Sequence, residues 1–163
     1  MAVAEALGRS RGGLTTKIHL VCDRHGIPLG VVVGPRQRHD AWYLPQVLQT
    51  VRIPSRQHRT RSRPMQVVAD KAYDARWVRQ YLRSRRIRAI IPARRYQRRR
   101  VGRPTLFVKE QYRQRNVIER VIGHLKEHRR LATRVEKLAR RYRAIVVLAC
   151  IRLLLNRYFS DSA

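Results

Sequence analysis

Residues 65–93 read MQVVADKAYDARWVRQYLRSRRIRAIIPA, and this stretch decides the fold class. Gln66-Val67-Val68-Ala69 is a short apolar run of the kind that forms a buried strand, and it leads directly into Asp70. Trp77, Val78, Tyr81 and Leu82 then recur on one helical stripe, placing a helix over ARWVRQYLRSRR, with Trp77 expected to pack into the core. A second apolar run, IRAIIPA, is stopped by Pro92. The order strand, helix, strand predicts a βαβ unit with a parallel pair, hence an α/β fold.

Upstream, LTTKIHLVC and IPLGVVVGP flank the turn signal Asp23-Arg24-His25-Gly26, which predicts a β-hairpin. In AWYLPQVLQTV, residues Trp42, Leu44, Val47, Leu48 and Val51 suit a helix, and both Trp42 and Trp77, lying on apolar stripes, are read as core packing in preference to base stacking. Asp40 is placed to cap that helix, and Pro45 then falls in its first turn. Residues 52–64 and 93–105 are basic loops, and the second carries Arg94, Arg95, Arg98, Arg99 and Arg100. A long helix is expected over Lys109–Arg130, and AIVVLACI at 144–151 reads as a buried helix. That run is far short of the roughly 20 apolar residues of a membrane span, and no secretory leader is visible, so a cytoplasmic location is expected.

The chain has 163 residues with 38 Lys+Arg against 10 Asp+Glu, a formal charge of +28. Such an excess repels itself unless a polyanion screens it, which makes nucleic acid the leading partner, with an acidic membrane surface or ribosomal RNA as rivals. Cys22 and Cys150 both sit in apolar runs, which excludes a disulfide scaffold or a thiolate cluster.

Acids are scarce enough that their positions matter. Asp70 ends an apolar strand, where α/β sheets carry ligands. From position alone it reads equally as a helix cap or Arg partner and as a ligand for a hard divalent cation. Tyr112, Glu119 and Lys126 are spaced seven apart and share one helical face with Arg115. Spacing alone favours ion pairs on a solvated helix there. His124-Leu125-Lys126-Glu127-His128 has the form of a zinc-protease helix, but its cationic surroundings make it a coincidence of a charged surface.

Together, ADKAYD at 69–74 and the Tyr-x2-Arg-x3-Glu-x6-Lys pattern of Tyr112, Arg115, Glu119 and Lys126 resemble the bacterial insertion-sequence transposases of the DDE class, in the branch with a Tyr-Arg-Glu-Lys helix. GRSRGGLTTKIHL, His39-Asp40 and the basic tail are similar to that branch as well. The resemblance implies a ribonuclease H-like mixed sheet with flanking helices and two-metal phosphodiester cleavage and strand transfer with Mg²⁺ or Mn²⁺. It implies Asp70 and Glu119 as catalytic metal ligands, and Tyr112, Arg115 and Lys126 as DNA contacts, beside Arg94, Arg95, Arg98, Arg99 and Arg100 of the basic loop. It implies DNA as partner, at element ends and target, in an oligomeric assembly. In that family the first catalytic Asp lies on a strand upstream of the GRSRGGLTTKIHL-like segment, and no residue here matches it. The expectation is therefore a flexible segment over 1–13, then a partial catalytic domain over 14–163 lacking its first strand, with an upstream-frame product as one source of that Asp. The rival reading is a basic nucleic-acid-binding protein without catalysis, either a decayed transposase or a ribosomal-type RNA binder.

Overall fold

The computed structural model describes residues 8–10, 13–53, 60–94, 107–133, 135–136 and 138–160. The hairpin forms as its sequence predicts. Strand β2, Gly13–Cys22, pairs antiparallel with β3, Pro28–Pro35, from Thr16↔Pro35 to Cys22↔Pro28. The turn is built by Asp23, whose Oδ1 accepts the N–H groups of His25 and Ile27 at 2.9 and 2.8 Å. Gly26 supplies the positive φ of 82° that closes it. A short strand β1, Gly8–Ser10, pairs with Gly13–Thr15 at the start of β2.

Period-two alternation gives the hairpin two working faces. Ile18, Leu20, Cys22, Val31 and Val33 face a core with Val121, Leu125, Leu131, Tyr142, Val146, Ala149 and Cys150. Val21 faces a second core built on Ala41, Leu44, Leu48, Val78, Leu82, Ile87 and Ile91. Buried His19 lies on that same face and stacks on Tyr43 at 4.0 Å between ring centroids. The close approach is permitted by Gly34, where a Cβ would stand 2.3 Å from the Tyr43 ring.

The second core carries the predicted βαβ unit. Strand β4, Gln66–Val68, and strand β5, Arg88–Ile90, pair in parallel, joined by a short 3-10 helix, Lys71–Tyr73, and a longer helix over Arg76–Ser84. β4 and β5 form their own two-stranded sheet, separate from the three-stranded sheet of β1, β2 and β3. The architecture is thus mixed α/β with two small sheets and several helices.

Helix α1, Leu44–Thr50, follows a 3-10 turn at Asp40–Tyr43, and Pro45 sits in the first turn of α1 as expected. The cap is not Asp40. His39 Nδ1 accepts the Ala41 N–H at 3.2 Å, while the Asp40 carboxylate is drawn across to the ammonium of Lys17 on β2. The βαβ helix, Arg76–Ser84, is α2. The long helix expected over 109–130 is three pieces: α3 Lys109–Arg113, α4 Asn116–Glu127 and α5 Arg129–Thr133. Residues 113–116 are Arg-Gln-Arg-Asn, with no apolar group to hold that turn against a core, and the N–H groups of Gln114 and Arg115 bond back only three residues.

Helix α6, Ala139–Ser160, buries Tyr142, Val146, Ala149 and Cys150 but leaves Leu148, Ile151, Leu155, Tyr158 and Phe159 exposed. The expected buried helix is thus buried on one face only. Its far end is tied to the hairpin turn by Arg157, whose guanidinium donates to the His25 carbonyl. No described helix is long and apolar enough to cross a membrane.

The core assignment of the tryptophans is overturned. Trp42 is 64% exposed and Trp77 36%. The stripes that carry them are buried through Tyr43, Leu44 and Val47 and through Val78 and Leu82 instead.

Candidate active site at the end of β4

Asp70 stands just past β4, in extended backbone, and caps the Lys71–Tyr73 turn by accepting the Ala72 N–H on Oδ1 at 2.8 Å. It is half-buried. The capping role foreseen for it is therefore real, and it engages one carboxylate oxygen in fixing the side chain at a strand end.

Asp74, four residues on, has a different task. It is 1% exposed. Its Oδ1 accepts from Arg79 Nε at 2.7 Å and its Oδ2 from the backbone N–H of Arg94 at 2.7 Å. Arg79 also donates through Nη2 to the Ile91 carbonyl at 2.7 Å, so one buried ion pair locks α2 to the segment leaving β5. Arg94 then folds back over the Asp70-capped turn, donating from Nε to the Lys71 carbonyl at 3.1 Å. The structure thus brings Arg94 and Asp70 to one turn. Arg95, Arg98, Arg99 and Arg100 lie outside the described residues.

Tyr73 completes this corner. Burial raises its hydroxyl above the usual phenol range, and the Asp40 and Asp70 carboxylates push in the same direction. Tyr73 therefore stays protonated and is a donor beside two acids. His19 nearby is held neutral, its pKa lowered to about 4 chiefly by burial and only partly restored by Asp40.

The second set of predicted residues lies on α3 and α4, and α4 packs on the hairpin's other face through Val121 and Leu125. Arg115 Nη2 pairs with Glu119 Oε1 at 2.8 Å, one turn apart, and the Arg115 guanidinium lies 5.8 Å from the Tyr112 ring centroid. Phe107 flanks Tyr112 at 5.3 Å. The i,i+4 pairing is the plain outcome that the spacing favoured. Because α3 and α4 are separate, Tyr112 no longer shares one straight helical face with Glu119 and Lys126, a departure from the seven-residue reading. Glu119 is 52% exposed in its side chain, and Lys126 is exposed. His124 Nδ1 meets Glu127 Oε1 at 3.1 Å on this exposed surface, a local pair within one helix. Among the described residues no group of three His, Cys, Asp or Glu side chains is placed to hold a metal ion.

The family described as Transposase DDE domain matches residues 6–154, which span β4, the Asp70 turn and the Tyr112–Lys126 segment. The chain belongs to the transposase DDE domain family. No curated protein and no solved structure matches it.

Several residues that shape this DDE domain were not legible in advance. Arg79 was one arginine among many, and its selection by Asp74 needed the fold. Lys17 carries no local signal beyond its place on β2, yet it neutralises Asp40 beside the turn that carries Asp70. Tyr73 had one signal, its place between the two acids of ADKAYD. Cys22 and Cys150 are structural, with burial raising each thiol to about 11.

Proposed function

We propose that this DDE domain is the catalytic part of a bacterial insertion-sequence transposase with a ribonuclease H-like core, acting on DNA by metal-dependent phosphodiester cleavage and strand transfer. The observation that carries the reading is Asp70, a carboxylate fixed at the end of a parallel strand in a chain of this family. In this reading Asp70 and Glu119 are the metal ligands, and Tyr112, Arg115, Lys126 and Arg94 meet DNA phosphates.

The donor chemistry suits Mg²⁺ or Mn²⁺, since both side chains offer hard carboxylate oxygen. The number falls short of a two-metal site. A third carboxylate, on a strand seated between β2 and β4, supplies what is lacking in this reading. Two features support that place. β2 and β4 belong to separate sheets, and beyond Thr16 the described strands pair with β2 on its β3 side only. An upstream segment or an upstream-frame product would provide the strand. When bound, the metals supply Lewis acidity to the attacking oxygen and to the leaving oxygen.

The protein's own groups have separable tasks. The Ala72 N–H holds the Asp70 carboxylate in one orientation, so no rotamer search precedes ligand binding. Arg115 orients the Glu119 carboxylate and offers its remaining N–H groups to a phosphate oxygen, where a guanidinium binds bidentately. Tyr73 stays protonated beside the acids, so it adds no third negative charge to the corner.

The experiment compares the chain alone with a fusion carrying an Asp-bearing upstream strand. The fusion is expected to cleave element ends with Mg²⁺, and the chain alone to show no strand transfer. In the fusion, Asp70→Asn and Glu119→Gln are expected to abolish cleavage with DNA binding retained, since neither removes a positive charge. Undiminished cleavage by either variant refutes the assignment.

A further inference from the structure

Trp42 and Trp77 are the chain's two tryptophans. One comes from the 3-10 turn before α1 and the other from the first turn of α2, yet their rings meet with centroids 5.4 Å apart and planes tilted by 34°. Both are solvent-exposed, and neither is loosely held. Ala41 and Tyr43 on either side of Trp42 are buried, as is Val78 beside Trp77. Two indoles are thus held in water by backbone anchored to the Leu44–Leu82 core, although a large aromatic gains free energy mainly by leaving water.

The surroundings indicate what covers them. Arg38 and Arg76 are exposed and flank the pair in sequence. The two acids nearest along the chain, Asp40 and Asp74, are already bonded to Lys17 and Arg79. The whole chain carries +28. An aromatic face with Arg38 and Arg76 close by in sequence, neither ion-paired among the described residues, on an overall cationic protein, matches a ligand that is negatively charged and has flat faces. A base within a duplex has both faces covered by its neighbours, whereas an unpaired base offers one to an indole.

We propose that Trp42 and Trp77 form a stacking platform for an unpaired nucleobase of single-stranded DNA, on the same corner of the fold as the Asp70 turn. The 3-10 turn carrying Trp42 also carries Asp40, whose carboxylate acts on Tyr73 together with Asp70, and this places the platform beside the candidate active site. The proposal rests on the DNA-binding reading above.

Because no other tryptophan is present, indole emission reports this site alone. The test titrates the purified full chain with fluorescein-labelled oligothymidylate about 15 nucleotides long, near the upper end of single-strand site sizes. A duplex of equal length is titrated in parallel. Label anisotropy gives total affinity, and tryptophan emission in matched unlabelled titrations gives occupancy of the platform. Oligothymidylate is expected to quench the tryptophan emission at saturation, and the duplex to quench it far less. Trp42→Ala and Trp77→Ala are each expected to weaken single-strand affinity about 5- to 150-fold while leaving duplex affinity within about twofold. Trp42→Tyr, which keeps an aromatic face, is expected to recover most of the loss. If both oligonucleotides bind but emission and the variants' affinities are unchanged, the platform is overturned while DNA binding stands. If neither binds at low salt, both readings fall. An emission change that follows protein concentration without DNA assigns the pair to self-association and overturns the platform.

Discussion

Replacing Asp74 with alanine is expected to be far more damaging to the fold than the same change at Asp70, four residues away. Asp74 is all but inaccessible, and its removal strands two donors at once. Arg79 Nε and the Arg94 backbone N–H each lose a partner at 2.7 Å. The side chain of Arg79 is itself 12% exposed, so its guanidinium cannot turn to water without leaving the Ile91 carbonyl. Breaking a buried pair by deleting one member costs about 3–5 kcal/mol, because the remaining charge stays desolvated. That is a fifth or more of the roughly 5–15 kcal/mol that stabilises a typical domain. At this chain length it corresponds to a fall in Tm of about 6–20 °C. Asp70→Ala removes a single cap bond from a half-buried turn, worth about 1 kcal/mol. Urea denaturation followed by circular dichroism measures both, and the Asp74→Ala/Arg79→Ala double variant should be markedly less destabilised than the sum of its singles. A loss below about 1 kcal/mol for Asp74→Ala, or equal losses for the two aspartates, refutes the division of ADKAYD into a structural acid and one available for chemistry.

Other outcomes follow from single features. His19 is depressed from 6.5 to about 4, so the unfolded chain takes up its proton first; its contribution to stability is complete above pH 6.5 and declines as pH falls toward 4. Between pH 7 and pH 4.5 this amounts to about 2–3 kcal/mol, which His19→Phe, still able to stack on Tyr43, should remove from the measured pH dependence of unfolding. Gly34→Ala drives a methyl into the buried Tyr43 ring and should destabilise by about 1–3 kcal/mol, whereas Gly123→Ala on exposed α4 meets nothing within 4 Å and should stabilise by about 0.5–1 kcal/mol in thermal melts. Glu119→Gln removes a half-exposed ion pair and should move stability by no more than about 0.5 kcal/mol in either direction; a larger loss would make Glu119 a structural residue. Affinity for duplex DNA should fall about 10³-fold or more between 50 and 200 mM salt, and a flat salt profile would rule out phosphate-directed binding.

The sequence by itself determined the elements whose causes are local. Asp23 and Gly26 build the hairpin turn from bonds within four residues, and period-two alternation sets which side chains of β2 and β3 face each core. Val67-Val68, the Val78/Leu82 stripe and the run into Pro92 specify strand, helix and strand. The position of Asp70 at a strand end followed from that reading, whereas position alone left cap and ligand equal, and its capping bond to Ala72 was decided by the fold. What only the tertiary structure decided is which apolar or charged group receives a partner. Trp42 and Trp77 sit on apolar stripes, but a stripe wider than the surface that covers it leaves its margin in water, and that surface comes from elsewhere in the chain. Asp40 was suited to cap its helix, yet the ammonium of Lys17, brought across from β2, holds it instead and leaves the cap to His39. Tyr112 and Glu119 have helical spacing, but with no apolar residue from 113 to 116 the helix breaks and their shared face is lost. Asp74 found Arg79 among many arginines because α2 packs against β5. Periodicity and propensity act over a few residues, whereas burial, pairing and desolvation depend on segments that meet only when the chain has folded.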